Sequence, residues 1–131
     1  MRFALFAGAL HGGLAVALGA FGAHGLQGWL PEADRALRLG WWETAANYQL
    51  AHALVLVALA AVMPRLPGRS GRLAAIAFAV GALIFSGSLY VMTLTDLRVL
   101  GAVTPFGGLS LVVGWVALAW SSRGVVLAEP A

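Results

Sequence analysis

The stretch "FALFAGALHGGLAVALGAFGAH", residues 3–24, decides the fold. It holds 22 residues with no charge, and a membrane-crossing helix needs about 20. A strand of that length, with its backbone groups unpaired, has no place in lipid, so the segment reads as a helix. A cleavable signal peptide shares its outline of one arginine, an apolar core and small residues near Gly19 and Ala20. The run is long for a signal core, so a membrane span is the expected reading.

Of the 131 residues, 61% are hydrophobic and only 10% are charged. Soluble domains carry roughly 25% charged residues, so the solvent for most of this chain is lipid. The chain forms one integral membrane domain, residues 1–131. With no cysteine there are no disulfides, thiolate metal sites or cysteine nucleophile. All eight basic residues are arginine, and no basic stripe is interleaved with aromatics, so no nucleic-acid partner is expected.

Three more segments meet the length rule: 44–63, 73–94 and 104–120. The fold class expected is an all-α membrane protein, an antiparallel bundle of four transmembrane helices. The longest connection contains "PEADRALRLGW", residues 31–41. Pro31 suits a first helical position, acids precede bases along it, and Leu30, Ala33, Leu37 and Trp41 share a face. This predicts a short interfacial helix over 31–41, with Trp29, Trp41 and Trp42 at the headgroups.

An even number of spans puts both termini on one side with the second connection, "PRLPGRSGR". That side holds Arg2, Arg65, Arg69, Arg72 and Arg123, and the other holds Arg35, Arg38 and Arg98. The positive-inside rule then places both termini in the cytoplasm.

Lipid gives helices little hydrophobic drive to associate, so small residues that permit close approach matter. Ala4, Gly8, His11, Ala15, Gly19 and Gly22 line one stripe of the first helix. Gly107, Ser110, Gly114, Ala117 and Ser121 line the fourth. Ala79, Ala82, Ser86, Tyr90 and Thr93 share a side of the third, and Thr44, Asn47, Tyr48, Ala51 and His52 an arc of the second. Helix-packing glycines are therefore expected at Gly8, Gly19, Gly22, Gly107 and Gly114. Thr104 reads as an N-cap before an N1 proline.

"GAFGAHGL", "TAANYQLAHALVL", "FSGSLY" and "TPFGGLSLVVGWVALA" occur in that order. In these four motifs the chain resembles the YgdD/YwdK-like family (domain of unknown function 423) of small bacterial membrane proteins, which is related to a small mitochondrial transmembrane protein of animals. The resemblance covers about residues 4–120. It implies a four-helix integral membrane protein and assigns no activity, substrate or catalytic residue.

His52 lies nine residues beyond Glu43, or roughly 14 Å along the axis, near mid-bilayer. Ionisable groups at that depth are costly and point to function. His11 differs from it in depth by about 6 Å. A polar intramembrane network of His11, Asn47, Tyr48, His52, Ser86, Ser88 and Ser110 is the candidate site; its bland counterpart is interhelical glue. His24 and Gly25 read as a helix C-cap, with Gly25 left-handed and Leu26 folding back on Phe21. Glu43, near the outer surface, is placed to pair with Arg38 or Arg98.

No metal is expected, because no two histidines stand four apart and no Glu-x-x-His pair exists. No cofactor is expected either; a haem between His11 and His52 has no supporting motif. Ser86 is not a hydrolase elbow, and Gly107–Gly108 has no Lys-Ser/Thr after it to make a phosphate loop.

Three functions compete. A non-enzymatic packing, assembly or interaction protein fits the small faces on every helix. A proton, ion or small-solute carrier or channel, working as an oligomer, fits the mid-membrane histidines and hydroxyls. An intramembrane enzyme lacks a nucleophile, acid pair or metal set, so no enzyme is expected. The expected partners are the lipid bilayer and either further copies of the chain or other membrane proteins.

Overall fold

The computed structural model describes residues 1–66 and 69–124. Pro67 and Gly68 of the second connection, and the tail 125–131, lie outside the described residues. Four α-helices carry the fold: α1 (Arg2–His24), α2 (Arg35–Val62), α3 (Ser70–Thr95) and α4 (Thr104–Ser121). All four are long and apolar enough to cross a membrane. Short 3₁₀ turns at Leu26–Gly28, Glu32–Asp34, Met63–Arg65 and Arg98–Ala102 make the connections, and one at Ser122–Gly124 follows α4.

The separate interfacial helix over 31–41 is not what forms. Only Glu32–Asp34 make a 3₁₀ turn, and from Arg35 the chain runs unbroken through α2. The physical reason lies in the sequence between 35 and 44. It contains no proline, and its one glycine, Gly40, is exposed on the helix surface, where a single glycine costs only about 1 kcal/mol. Nothing stops the helix before it enters the apolar stretch.

Each helix packs along the next in sequence, with α1 also reaching α3. α3 lies in the middle: 56% of its apolar window is buried against 17% for α4. Along the α1–α2 contact the residue numbers run in opposite directions. A Cβ on Gly8 would lie 2.8 Å from Val57, on Gly12 3.7 Å from Ala53, on Gly19 3.9 Å from Ala46, and on Gly22 2.5 Å from the Trp42 ring. Gly8 and Gly22 are thus points where the helices meet too closely for any side chain, whereas Gly19 leaves ordinary contact room. Trp42 fixes the register by donating its indole N–H to the Leu18 carbonyl at 2.7 Å.

The α3–α4 contact works the same way. A Cβ on Gly114 would lie 2.7 Å from the Phe78 ring, and one on Gly107 would overlap the Phe85 backbone. Phe78 is fully buried and belongs to a cluster with Leu56, Leu59, Ala82 and Leu111. On α3, Ala79, Ala82, Ser86, Tyr90 and Thr93 are all buried.

Two helix ends differ from expectation. Gly25 is right-handed (φ −108°, ψ −40°), so no Schellman turn forms; its N–H bonds the Phe21 carbonyl at 2.7 Å and a 3₁₀ turn follows. The glycine is needed there for space, because a Cβ would lie 2.8 Å from the Phe21 ring. His24 is the last residue of α1 and is exposed. Thr104 is the first residue of α4, with Val103 in the capping position, and its hydroxyl bonds Leu100 and Ser88 rather than the helix start.

Candidate functional site

The buried polar side chains divide into a mid-membrane chain, a set of serine ties and a charged clasp at one end. The mid-membrane chain joins three helices. Tyr90 on α3 donates its hydroxyl to Gln49 Oε1 on α2 at 2.9 Å. The Gln49 amide nitrogen lies 3.2 Å from His11 Nδ1 on α1, and the His11 ring also bonds the Ala79 backbone on α3. Donors and acceptors alternate if His11 is neutral, accepts at Nδ1 and donates its other N–H to the Ala79 carbonyl. Each of the three side chains is then satisfied. Gln49 is only 4% exposed, which makes it the most buried polar residue of α2.

This is not the network read from the sequence. Asn47 and Tyr48 are exposed, as are Thr44 and Ala51 of the same expected arc. The buried face of α2 is Arg38, Trp42, Ala45, Gln49, His52, Leu56 and Leu59, a regular alternation of four- and three-residue steps. That spacing was the available signal for Gln49. The expected arc followed the polarity of Asn47 and Tyr48 and passed over that spacing, which places Gln49 and His52 inside and turns Asn47 and Tyr48 outward.

His52 is buried but not joined to His11. Its Nδ1 lies 2.8 Å from the Tyr48 carbonyl of its own helix, and its ring sits among Tyr48, Phe78 and Trp115, with centroids 6.1, 5.7 and 6.2 Å away. The Trp115 contact also brings α4 to α2. The serines are ties. Ser86 donates to the Ala45 carbonyl on α2 at 2.8 Å, and Ser110 on α4 to the Ala77 carbonyl on α3 at 2.9 Å. Ser88 meets Thr104 at 2.8 Å across the α3–α4 connection.

The clasp holds the start of α2 to the end of α3. Arg38, 7% exposed, bonds Asp34 at 2.7 Å, Asp96 at 3.1 Å and the Thr93 carbonyl at 3.2 Å. Thr93 returns a bond to the Arg38 carbonyl at 3.2 Å. Arg98 closes the cluster on Asp96 at 3.0 Å and on Asp34 at 3.7 Å. Asp96 ends α3 in the left-handed region (φ 57°), which aspartate tolerates better than most residues. The expected pairing of Arg38 or Arg98 with Glu43 does not form, because both arginines are engaged by these two aspartates. Among the described residues no group of three or more His, Asp or Glu is placed to hold a metal.

A family described as Protein of unknown function (DUF423) matches residues 18–108. The chain is 41% identical to the UPF0382 membrane protein YwdK of Bacillus subtilis (strain 168), over 88% of this chain and 92% of that protein. It is 40% identical to the UPF0382 inner membrane protein YgdD of Escherichia coli (strain K12), over 87% and 84%. It is also 40% identical to the UPF0382 membrane protein SAB0533 of Staphylococcus aureus, over 90% and 93%. No solved structure matches the chain.

Proposed function

This chain belongs to the DUF423 family of membrane proteins, and from that premise we propose that it is a non-enzymatic packing or assembly protein of the bacterial inner membrane. Its four helices form an antiparallel bundle whose polar residues lock the helices to one another. The observation that carries this reading is the Tyr90–Gln49–His11 chain, in which buried polar groups spend their hydrogen bonds on each other. A path for protons or solutes needs groups that exchange partners with water or cargo. The serine bonds to neighbouring helices point the same way. Reconstituted in liposomes under a pH or cation gradient, the protein should give no flux above that of protein-free vesicles.

The second reading, a carrier or channel, draws on His52. Its Nδ1 is engaged, but its Nε2 makes no hydrogen bond among the described residues. An open imidazole nitrogen at that depth is the one group here suited to carry a proton.

Both termini are proposed to be cytoplasmic. At one end of the bundle the Met1 amino group lies 2.9 Å from Met63 Sδ, and Ser121 bonds Ser70 at 2.7 Å. Arg2, Arg65, Arg69, Arg72 and Arg123 lie in sequence beside these residues, whereas the other end carries arginines already paired with aspartates. A reporter fused after Ala131 should be active in the cytoplasm; activity only on the far side of the membrane reverses the assignment.

A further inference from the structure

We propose that a groove between the outer halves of α1 and α2 binds the ammonium headgroup of a zwitterionic membrane lipid. The groove has a volume of about 420 Å³ and is lined by Gly19, Gly22, Gln27, Trp42, Glu43 and Asn47, among others. Its floor is open because glycines stand where larger residues would fill it. Its Trp42 wall is fixed, since the indole N–H is held by the Leu18 carbonyl at 2.7 Å.

Depth and charge select the ligand. Glu43 stands nine residues from His52, or about 14 Å along α2, which is close to the edge of the hydrocarbon. Of the other carboxylates at this end of the bundle, Asp34 and Asp96 are neutralised by Arg38 and Arg98, and Glu32 lies outside the groove lining in the turn before α2. Glu43 makes no ion pair or hydrogen bond among the described residues. Glu43 is therefore an exposed carboxylate at the rim of the membrane, open to a cation from the headgroup layer. The cation abundant at that depth is the ammonium of a zwitterionic lipid. The Gln27 and Asn47 amides can accept from it through oxygen and donate to the adjoining phosphate through nitrogen. An anionic lipid without an amine would bring its phosphate against Glu43, like charge to like.

The test uses the full chain in detergent micelles, with bound lipid read by native mass spectrometry. Phosphatidylethanolamine should be retained over phosphatidylglycerol of the same acyl chains. Glu43→Gln keeps the shape and removes the charge, and should weaken retention of phosphatidylethanolamine about fivefold. Gly19→Leu, at a position where a Cβ meets only Ala46 at 3.9 Å, should fill the groove and weaken it as well. Both variants should melt with the wild type, which separates loss of the site from loss of the fold. Equal retention of the two lipids, or retention unchanged in Glu43→Gln, overturns the proposal. Free phosphoethanolamine that displaces the lipid at equal concentration would assign the groove to a soluble amine and overturn the lipid assignment.

Discussion

Gly107→Val should separate α4 from α3. A Cβ at position 107 would overlap the Phe85 backbone nitrogen and lie 2.7 Å from its Cα. Backbone inside a helix cannot swing away as a side-chain tip can, so the whole of α4 must move. That shift also strains the ties on either side, Thr104 to Ser88 before it and Ser110 against Ala77 after it. The expected loss is about 3 kcal/mol, the upper end for overpacking. Reversible unfolding in mixed micelles measures it. Gly87→Ala is the control: a Cβ there meets nothing within 4 Å, and the variant should be as stable as the wild type or more so, by up to about 1 kcal/mol. If Gly107→Val unfolds with the control, close backbone approach is not what holds α4.

Arg38→Leu is expected to cost about 3 kcal/mol, the low end for breaking a buried ion pair. The low end applies because Asp96 keeps 38% of its side chain exposed and is partly screened by solvent. Losing the guanidinium leaves the Thr93 carbonyl without its donor and sets Asp34 and Asp96 against each other with Arg98 as their remaining cation. The end of α3 should loosen from the start of α2 while the opposite end of the bundle stays closed. Unfolding midpoints, together with amide exchange at residues 92–96, read both parts. The triple variant that also carries Asp34→Asn and Asp96→Asn should recover part of the loss, since it removes the stranded charges. An Arg38→Leu protein with wild-type stability and exchange would show that the clasp is ornamental.

The four helices were legible in the sequence because lipid leaves a backbone few choices. Long uncharged runs had to be helical, and their limits were set by Arg2, His24, the arginine-rich second connection and Pro105. The small-residue faces of α1, α3 and α4 were legible for a related reason: close approach needs Gly, Ala or Ser at three- and four-residue steps. α2 misled twice. Its start was placed at 44 because the charged residues 32–38 looked like a connection, yet Arg38 is buried by pairing with aspartates that flank it from two helices. Its inner face was placed on Asn47 and Tyr48 by their polarity alone, although the four- and three-residue steps from Trp42 through Ala45, Gln49, His52 and Leu56 mark the buried side. Gln49 and Tyr90 stood in the motifs and on the right stripes, but their bond depends on the relative rotation of α2 and α3, which no single helix encodes. Gly25 was read as a turn residue, whereas its role is to leave room for the Phe21 ring.

The central claim is that the polar interior is a lock and not a path, and His52 is where it is most exposed to contradiction. The direct measurement is proton and cation flux into liposomes holding the wild-type protein or His52→Ala, at matched reconstitution and with both proteins shown to be folded. The account predicts that neither conducts above protein-free vesicles, under either sign of the gradient. Flux through the wild type that His52→Ala abolishes would contradict it, and would make His52 the working residue of a carrier.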